Sequence, residues 1–308
     1  MKRLLIRLIQ YFTTIKYEIG FFDASEAPKS DSIVSKKIHW LRYPAGKRKS
    51  WFADPFILSI KGNHIQVLAE EYSYEYKIGS IALLDIIRDK NEYTLYDSTT
   101  ILSLSTHLSF PYIFEEAGVT YLCPENYQSG GVSIYKYDPD TKQMNFINQI
   151  IDDPLVDVQI FSHNGEYYAM GVKTYTGSMD ETKELSIYHS KTLCDKYSLV
   201  QTIINEKKEE RGAGQIWREN DYYVRPAQCC EFQYGSMLIF YRLNIIDGKI
   251  IERELYRYKP SYYSKNGLSL HTYNKLNALC VVDGHDYKNV RLASRLIAPL
   301  IQRLRGKR

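Results

Sequence analysis

The sequence predicts an all-β fold, a five-bladed β-propeller, on three observations. A pattern of strand, Gly or Asn turn and second strand recurs about every fifty residues, a period typical of propeller blades. None of the repeats contains the pattern of a long amphipathic helix. The 308 residues include 28 tyrosines against 11 phenylalanines. Tyrosine suits half-buried strands, because its ring can pack against the sheet while its hydroxyl reaches solvent.

The first repeat begins with the stretch WFADPFIL, residues 51–58. Pro55 cannot donate a backbone hydrogen bond, so we expect Asp54 at the start of a strand, facing something other than its own sheet. The strand continues to a turn at Gly62, and the apolar run HIQVLAEEY follows as the second strand.

The remaining repeats follow the same order. Their strands read SFPYIFEEAG with VTYLCPENY, DVQIFSHNG with EYYAMGVKTY, the looser GAGQIWREND with YYVRPAQ, and last GLSLHTYNKLNALCVVDGH. The repeats are anchored at Asp54, Phe110, Asp157, Gly212 and about Leu270. We expect four strands in each blade, and the early strand KKIHWLRYP to complete the last one, since closure removes exposed sheet edges.

Positive charge is concentrated at the two ends of the chain. Residues 1–16 contain four Lys or Arg and residues 288–308 contain seven, with no acid in either segment. Taking these eleven from 40 leaves 29 basic against 36 acidic residues elsewhere. We therefore divide the chain into a basic N-terminal extension and lead-in (1–36), the propeller (37–287) and a basic C-terminal tail (288–308).

The C-terminal tail has the pattern of a short amphipathic helix, which Pro299 would kink. Its apolar residues at helical spacing are Val290, Ala293, Ile297, Leu300, Ile301 and Leu304. With arginines beside them, they predict a helix that rests on an anionic membrane surface; a helix packed on the propeller is the alternative. The acidic body and the lack of a base-reading motif predict no nucleic-acid partner.

Neither end is predicted to span a membrane. Arg7 breaks the apolar N-terminal run and no small-residue cleavage site follows, so we expect no secretory signal peptide. Five cysteines fit no disulfide framework and no zinc spacing. These features predict a cytoplasmic, reduced protein that is peripheral at the inner membrane face.

Carboxylates recur where the strands should approach the propeller axis. The first strand of each blade lines the central channel, so Asp54 and Asp157 should converge on one face. The second strands end in further acids: Glu70, Glu71, Glu125 and Asp283. Glycosyl transfer needs two such groups, one to attack or activate and another to stabilise or donate a proton. We predict Asp54, Asp157 and Glu125 as catalytic residues.

Other polar residues at the blade ends are candidates for binding substrate. They are Glu71, His107, Arg225, Gln228, His271 and Asp283. Each candidate has a structural alternative, since aspartates at strand starts cap turns and Arg or His can tie blades together. The sequence predicts no metal site and no cofactor, and it contains neither a dinucleotide-binding fingerprint nor a P-loop.

WFADPFIL followed by VLAEEY resembles the opening blade of five-bladed propeller glycosidases, the arabinanase/xylosidase and invertase/levansucrase families. A wider set more closely resembles the propeller domain at the N-terminus of plant glucosamine inositolphosphorylceramide transferases, found also in bacterial proteins linked to surface polysaccharides. The set is HLSFPYIFEEAGVTYLCPEN, RGAGQIWRENDYYVRPAQCCEFQYG and GLSLHTYNKLNALCVVDG, within a likeness from about Lys37 to about Tyr287. The glycosidase resemblance implies Asp54 as base or nucleophile and Asp157 as transition-state stabiliser. The glycosidase acid motif is not evident, which leaves Glu125 as the substitute.

Three classes of function stay open. We predict a glycosyltransferase that takes an activated sugar donor and adds a sugar, such as a furanose, to a capsule or lipopolysaccharide glycan. The alternatives are a hydrolase of a furanoside or pentoside and a non-catalytic glycan-binding propeller. A hydrolase of external polymers would need an export signal, which favours the transferase.

Overall fold

The computed structural model describes residues 14–26, 32–34, 38–44, 49–176, 184–204, 209–230, 234–260 and 265–287. The tail 288–308, for which the sequence predicts a helix, lies outside these residues. The described residues form 22 strands and two short 3₁₀ helices, Ala24–Glu26 and Tyr127–Ser129. The strands form five sheets, so the prediction of an all-β, five-bladed propeller is confirmed.

The segment ahead of the first repeat supplies three strands: β1 (Ile15–Asp23), β2 (Ser32–Val34) and β3 (His39–Trp40). Blade 1 consists of β4 (Ser50–Lys61), β5 (His64–Ser73), β6 (Gly79–Asp89) and β7 (Glu92–Leu102). Blade 2 consists of β8 (Ser109–Glu116), β9 (Val119–Glu125), β10 (Val132–Asp138) and β11 (Gln143–Ile151). Blade 3 consists of β12 (Leu155–His163), β13 (Glu166–Lys173), β14 (Glu184–Ser190) and β15 (Ser198–Ile204).

Blade 4 departs from the predicted four strands. It contains β16 (Arg211–Gly212), β17 (Trp217–Glu219), β18 (Tyr222–Cys229), β19 (Met237–Ile246) and β20 (Lys249–Pro260). The inner position is divided between β16 and β17, and β2 adds a parallel strand outside β20. The break follows from Gly214, whose φ is 144° and whose Cα lies so close to the Tyr273 carbonyl that a Cβ would collide with it.

Blade 5 joins the two ends of the chain in the order β21 (Ser269–Leu276), β22 (Leu279–Tyr287), β1 and β3. As expected, the segment KKIHWLRYP contributes to this blade, through β3. Between β22 and β3 stands β1, which comes from ahead of the boundary we placed at residue 37. It pairs with β22 along its whole length and buries six consecutive residues, so closure of the ring requires it.

A bulge in the inner strand explains the position of Asp54. The pairing of β4 with β5 shifts between Ala53 and Phe56, and β8, β12 and β21 shift at equivalent places. Asp54, Phe110 and Asp157, three of the predicted anchors, have positive φ values of 49°, 41° and 50°. Such a backbone costs roughly 1–2 kcal/mol in a non-glycine residue, so the surrounding fold must hold these side chains at the axis.

The blades are held together by apolar side chains between neighbouring sheets. Phe56 of blade 1 meets Phe110 of blade 2 edge to face, with ring centroids 5.1 Å apart, and both are fully buried. The inner strands therefore form a rigid ring around the axis, which suits them to position a site.

Candidate active site at the propeller axis

A cavity of about 280 Å³ opens at the axis, on the face where the inner strands begin. Its lining contains three acids, Asp54, Glu70 and Glu125, and three basic residues, His107, Arg211 and His271. Five aromatic residues line the same space: Tyr17, Trp51, Tyr72, Tyr127 and Tyr234. Aromatic rings offer stacking faces to sugars, and the carboxyls offer acid and base groups.

A larger cavity of about 390 Å³ occupies the opposite end of the axis. Its lining is mainly aliphatic and aromatic, and Glu115 and Arg218 there are exposed. Hydrogen bonds there link the inner strands of neighbouring blades, such as the one from the Tyr112 hydroxyl to the Ile160 carbonyl at 2.5 Å. We place the candidate active site in the smaller cavity, because its carboxyls are buried and burial raises the pKa of Asp54 and of Glu125, as acid–base catalysis requires.

Asp54 is buried at the bottom of the smaller cavity. Its Oδ2 accepts a hydrogen bond from the Phe110 N–H at 3.2 Å, and Oδ1 accepts one from the Thr272 hydroxyl at 2.7 Å. Burial raises the pKa of Asp54 to about 7; His271 opposes this shift and the charge of Asp283 adds to it. A carboxyl that titrates near neutral pH can both accept and donate a proton.

His271 and Asp283 form a buried pair beside Asp54. His271 Nδ1 and Asp283 Oδ1 are 2.7 Å apart, and Asp283 Oδ2 accepts a hydrogen bond from the Asp54 N–H at 2.8 Å. Burial by itself lowers the pKa of His271, but the neighbouring carboxylates outweigh it and raise the pKa to about 9. Tyr17 stacks on the imidazole at 4.7 Å. His271 is therefore held as a cation next to Asp54 at neutral pH.

Asp54, His271 and Asp283 also bring possible ligand atoms within 4.8 Å of one another, as a metal site would. The 2.7 Å between His271 Nδ1 and Asp283 Oδ1 is a hydrogen-bond distance. Two ligands of one zinc ion would be about 3.3 Å apart, given bonds of about 2.0 Å in a tetrahedron. The geometry of the pair thus fits a shared proton better than an ion.

Glu70 is paired with His107 at the cavity wall. Glu70 Oε1 and His107 Nε2 are 3.3 Å apart, and the Gly79 N–H donates to His107 Nδ1 at 2.9 Å. Because Nδ1 accepts this bond, the proton of the neutral ring is on Nε2 and faces Glu70. Burial lowers the pKa of His107, but Glu70 outweighs it and the net shift is upward.

Glu125 occupies the same place in blade 2 that Glu70 occupies in blade 1. It ends β9 opposite Ser109, as Glu70 lies opposite Ala53. The Ser109 hydroxyl donates to one carboxyl oxygen of Glu125 at 2.5 Å, and the Tyr127 N–H donates to the other at 3.0 Å. Burial raises the pKa of Glu125, which suits a carboxyl that must donate a proton.

Asp157 lies behind the cavity wall, although it shares the bulge position of Asp54. Its Oδ2 accepts hydrogen bonds from Arg211 Nε at 2.6 Å and from Gln228 Nε2 at 3.1 Å. Gln228 also donates to the Gly212 carbonyl at 2.8 Å. Asp157 and Gln228 thus position Arg211, and the guanidinium rather than the carboxylate lines the cavity.

Two predicted substrate-binding residues lie away from the cavity. Arg225 is fully buried, where its guanidinium donates to Glu252 at 2.6 Å and to Glu210 at 3.0 Å. Glu71 accepts a hydrogen bond from the Ser50 hydroxyl at 2.8 Å. Successive side chains of a strand point to opposite faces, so β5 turns Glu70 toward the axis and Glu71 away from it.

Four of the nine predicted site residues line the cavity: Asp54, Glu125, His107 and His271. Three lie directly behind it, namely Asp157, Gln228 and Asp283. Glu70 was noted in the sequence as one of the acids that end second strands, but it was not predicted as a site residue. Its position in the repeat, equivalent to that of Glu125, is the signal that could have identified it. Arg211 was missed altogether, since it lies in the irregular fourth copy and carries no repeat signal.

Comparison with protein families relates most of the chain to one family. The family described as "Glucosamine inositolphosphorylceramide transferase 1, N-terminal" matches residues 38–278. The protein of that name from Arabidopsis thaliana is 26% identical over 218 residues, which are 69% of this chain and 27% of that protein. The one from Oryza sativa subsp. japonica is 22% identical over 203 residues, 64% of this chain and 27% of that protein. The chain spans about a quarter of the length of these relatives.

Solved structures with a similar fold include enzymes that act on galactans. An exo-β-1,3-galactanase from Phanerochaete chrysosporium, in complex with β-1,3-galactotriose, superposes with a TM-score of 0.55 at 14% identity and covers 70% of this chain and 53% of that one. An exo-β-1,3-galactanase from Clostridium thermocellum superposes with a TM-score of 0.52 at 11% identity and covers 69% of this chain and 49% of that one. At these identities the likeness concerns the fold, a glycosidase-like propeller.

Proposed function

The chain belongs to the family of the N-terminal part of glucosamine inositolphosphorylceramide transferase 1, and on this premise we propose that it is a glycosyltransferase. The sugar goes from an activated donor to a capsule or lipopolysaccharide glycan, and the transfer takes place in the axial cavity. The family name supports the reaction class. Because the chain spans about a quarter of its relatives, the assignment of chemistry to this propeller rests on the cavity itself.

The observation that carries the proposal is the combination of carboxyls and aromatic rings in one cavity. Asp54, Glu70 and Glu125 are each at most 6% exposed and all line it. Trp51 and Tyr72 stack on each other at 4.8 Å beside them, which builds a rigid aromatic wall. A sugar ring needs such a wall for its apolar face and carboxyls for its hydroxyls and its anomeric centre.

The carboxyls have environments that suit different roles. Asp54 is next to the cation of His271 and titrates near neutral pH, so it serves as base or nucleophile. Burial raises the pKa of Glu125 and outweighs the hydrogen bonds from Ser109 and Tyr127, which lower it, so Glu125 serves as the acid that protonates the leaving group. Asp157 acts through Arg211 rather than on the sugar.

A glycoside hydrolase is the second candidate, because water could take the place of the acceptor between the same two carboxyls. The products distinguish the two: a hydrolase releases free sugar, whereas a transferase yields a labelled glycan. Binding without turnover would identify a non-catalytic glycan-binding propeller, the third class that the sequence left open.

The proposed site of action is an anionic membrane surface at the cytoplasmic face, where lipid-linked glycans are met. Ile15 pairs with Tyr287 at the end of β1 and β22, and Tyr17 of β1 lines the cavity. Ile15 and Tyr287, which end these two strands, thus lie on the cavity face, and this supports the proposal. In the part of the chain that the structure describes, no helix is long and apolar enough to cross a membrane.

Exchanging Glu70 for glutamine is expected to lower transfer by about a hundredfold, since it removes a cavity carboxylate and the partner of His107. Glu71→Gln is the matched control, because the neighbouring side chain faces away from the cavity. The assay incubates each protein with radiolabelled UDP-glucose, UDP-galactose and UDP-N-acetylglucosamine and with bacterial membranes as acceptor. Equal incorporation by both variants, or none by the wild type with any donor, would contradict the proposal.

Deleting residues 288–308 is expected to release the protein from liposomes that contain phosphatidylserine. Each basic residue near an anionic surface contributes about 1 kcal/mol, and this segment has seven. The propeller should still melt cooperatively, because its last strand ends at Tyr287. Co-sedimentation with liposomes measures binding, and phosphatidylcholine liposomes are the control. Undiminished binding of the truncated protein would show that the tail has another role.

A further inference from the structure

Arg211 is the basic residue of the cavity whose hydrogen-bonding capacity is least used. Its side chain is 9% exposed, and Nε donates to Asp157 Oδ2 at 2.6 Å. The ring of Tyr234 covers one face of the guanidinium, with Cζ 4.9 Å from the ring centroid. The plane of the guanidinium is thus held from the side by Asp157 and from its face by Tyr234.

The two terminal nitrogens of Arg211, Nη1 and Nη2, make no hydrogen bond to any residue that the structure describes, and the side chain lines the cavity. A guanidinium that served only to neutralise Asp157 would present its two-nitrogen fork to that carboxylate. Arg225 differs, because all three of its guanidinium nitrogens donate hydrogen bonds: Nε to Glu252, Nη1 to Gln159 and Nη2 to Glu210. Among the described residues, the four N–H groups on Nη1 and Nη2 of Arg211 therefore have no acceptor.

We infer that Arg211 is an anion-recognition residue and that the sugar bound in the cavity carries an acidic group, a carboxylate or a phosphate, next to its ring. This inference rests on the proposed function and narrows its substrate class. A planar fork of N–H groups matches the two oxygens of a carboxylate or phosphate, and a guanidinium held in place loses little entropy on binding them.

The other charges of the cavity make this contact selective for orientation. Asp54, Glu70 and Glu125 stand in the same lining and, when ionised, repel an anionic group that approaches them. An acidic sugar can therefore enter with its anionic group toward Arg211 and its ring toward the aromatic wall. The uncharged hydroxyls of a neutral sugar accept only single hydrogen bonds from Arg211, which are weaker than the charge-assisted pair that an anion accepts.

The test measures binding of matched neutral and acidic monosaccharides by calorimetry with the full chain. The pairs are glucose with glucuronate and galactose with galacturonate, and inorganic phosphate is titrated separately. We expect the acidic member of at least one pair, or phosphate, to bind at least about tenfold more tightly than the neutral sugar. Preference for the uronate identifies a carboxylate on the sugar, and preference for phosphate identifies the phosphate of a donor or glycan.

Three variants complete the design. Arg211→Lys keeps the charge beside Asp157 but loses the fork, and it should weaken the preference. Asp157→Asn with Arg211→Gln removes both charges together, so that no buried carboxylate is left unpaired, and it should abolish the preference. Arg218→Gln, at the opposite cavity, is the control and should retain it.

Equal affinity for acidic and neutral sugars, failure of every anionic probe to bind, or a preference that survives the double substitution would each overturn the inference. These outcomes are separate from a failure of the proposed function. If transfer of labelled sugar depends on Glu70 but anions are not preferred, the role of Arg211 is refuted and the proposed transferase activity is kept. Uronate binding that needs Arg211, combined with no transfer, would do the reverse.

Discussion

Asp54→Asn is expected to lower glycosyl transfer by at least about a hundredfold while the protein remains as stable as the wild type, or becomes more stable, at pH 8. Asparagine keeps the shape of the side chain. Its oxygen can accept from the Phe110 N–H, and its amide can donate to the Thr272 hydroxyl, so both present contacts have a substitute. Only the negative charge, and with it the ability to attack or take up a proton, is lost.

The stability of this variant should depend on pH in a defined direction. The pKa of Asp54 is raised from 3.8 to about 7, so the folded state holds this proton more tightly than the unfolded chain does. The free energy of unfolding of the wild type therefore falls as pH rises from about 4 to about 7, and asparagine escapes this loss. His271 offsets part of the gain, since its pKa is raised by Asp54 as well as Asp283 and it loses one partner.

The measurement pairs the transfer assay with melting temperatures at pH 5 and pH 8. The advantage of Asp54→Asn over the wild type should be larger at pH 8. Asp85→Asn is the control, a carboxylate of blade 1 that pairs with Lys142 outside the cavity. A turn-capping Asp54 would behave in the opposite way, losing about 0.5–2 kcal/mol of stability while activity is kept. Full activity in a destabilised variant would refute the catalytic role.

Arg225→Gln is expected to destabilise the protein by about 3–5 kcal/mol, the largest loss of stability that we predict. Arg225 is fully buried and binds Glu210 and Glu252, so its removal leaves two largely buried carboxylates without their cation. The sequence suggested this residue for substrate binding. Its contacts instead connect parts of the fourth blade with one another and, through Gln159, with the third blade, and Arg225 is not among the residues that line the cavity.

Denaturant unfolding of the wild type, Arg225→Gln and the exposed control Arg218→Gln tests this role. The control should stay within about 0.5 kcal/mol of the wild type. If Arg225→Gln does not fold, the triple variant Arg225→Met, Glu210→Gln and Glu252→Gln removes the unpaired charges and should recover part of the stability. Wild-type stability of Arg225→Gln together with lost sugar binding would restore the role in substrate binding.

The five blades could be predicted because their signals are local. Alternation of apolar residues, the Gly or Asn turns and the spacing of about fifty residues are all present in short windows of sequence. The extra strands of the fourth blade could not be predicted in this way. Its inner strand is broken by the approach of Tyr273 to Gly214, a contact between residues of two blades.

The site could be predicted in part. Asp54 lies in the first half of its inner strand and Glu125 at the end of its second strand, and the repeat indicates that both face the axis. The choice between Glu70 and Glu71 depends on the register of one strand, and a shift of one residue would exchange them. The sequence analysis predicted Glu71 as a site residue, but the register of β5 turns the Glu71 side chain away from the cavity.

The sequence by itself determined the fold class, the number of blades and the strand ends at which acids reach the axis, since these follow from periodic patterns within each repeat. Tertiary structure decided what each charge does. The Asp54 N–H donates to Asp283, 229 residues away in the chain, and Asp157 meets Arg211 54 residues away. Burial and such partners set the pKa of a carboxyl and the direction of a guanidinium, and both exist only once the ring of blades has closed.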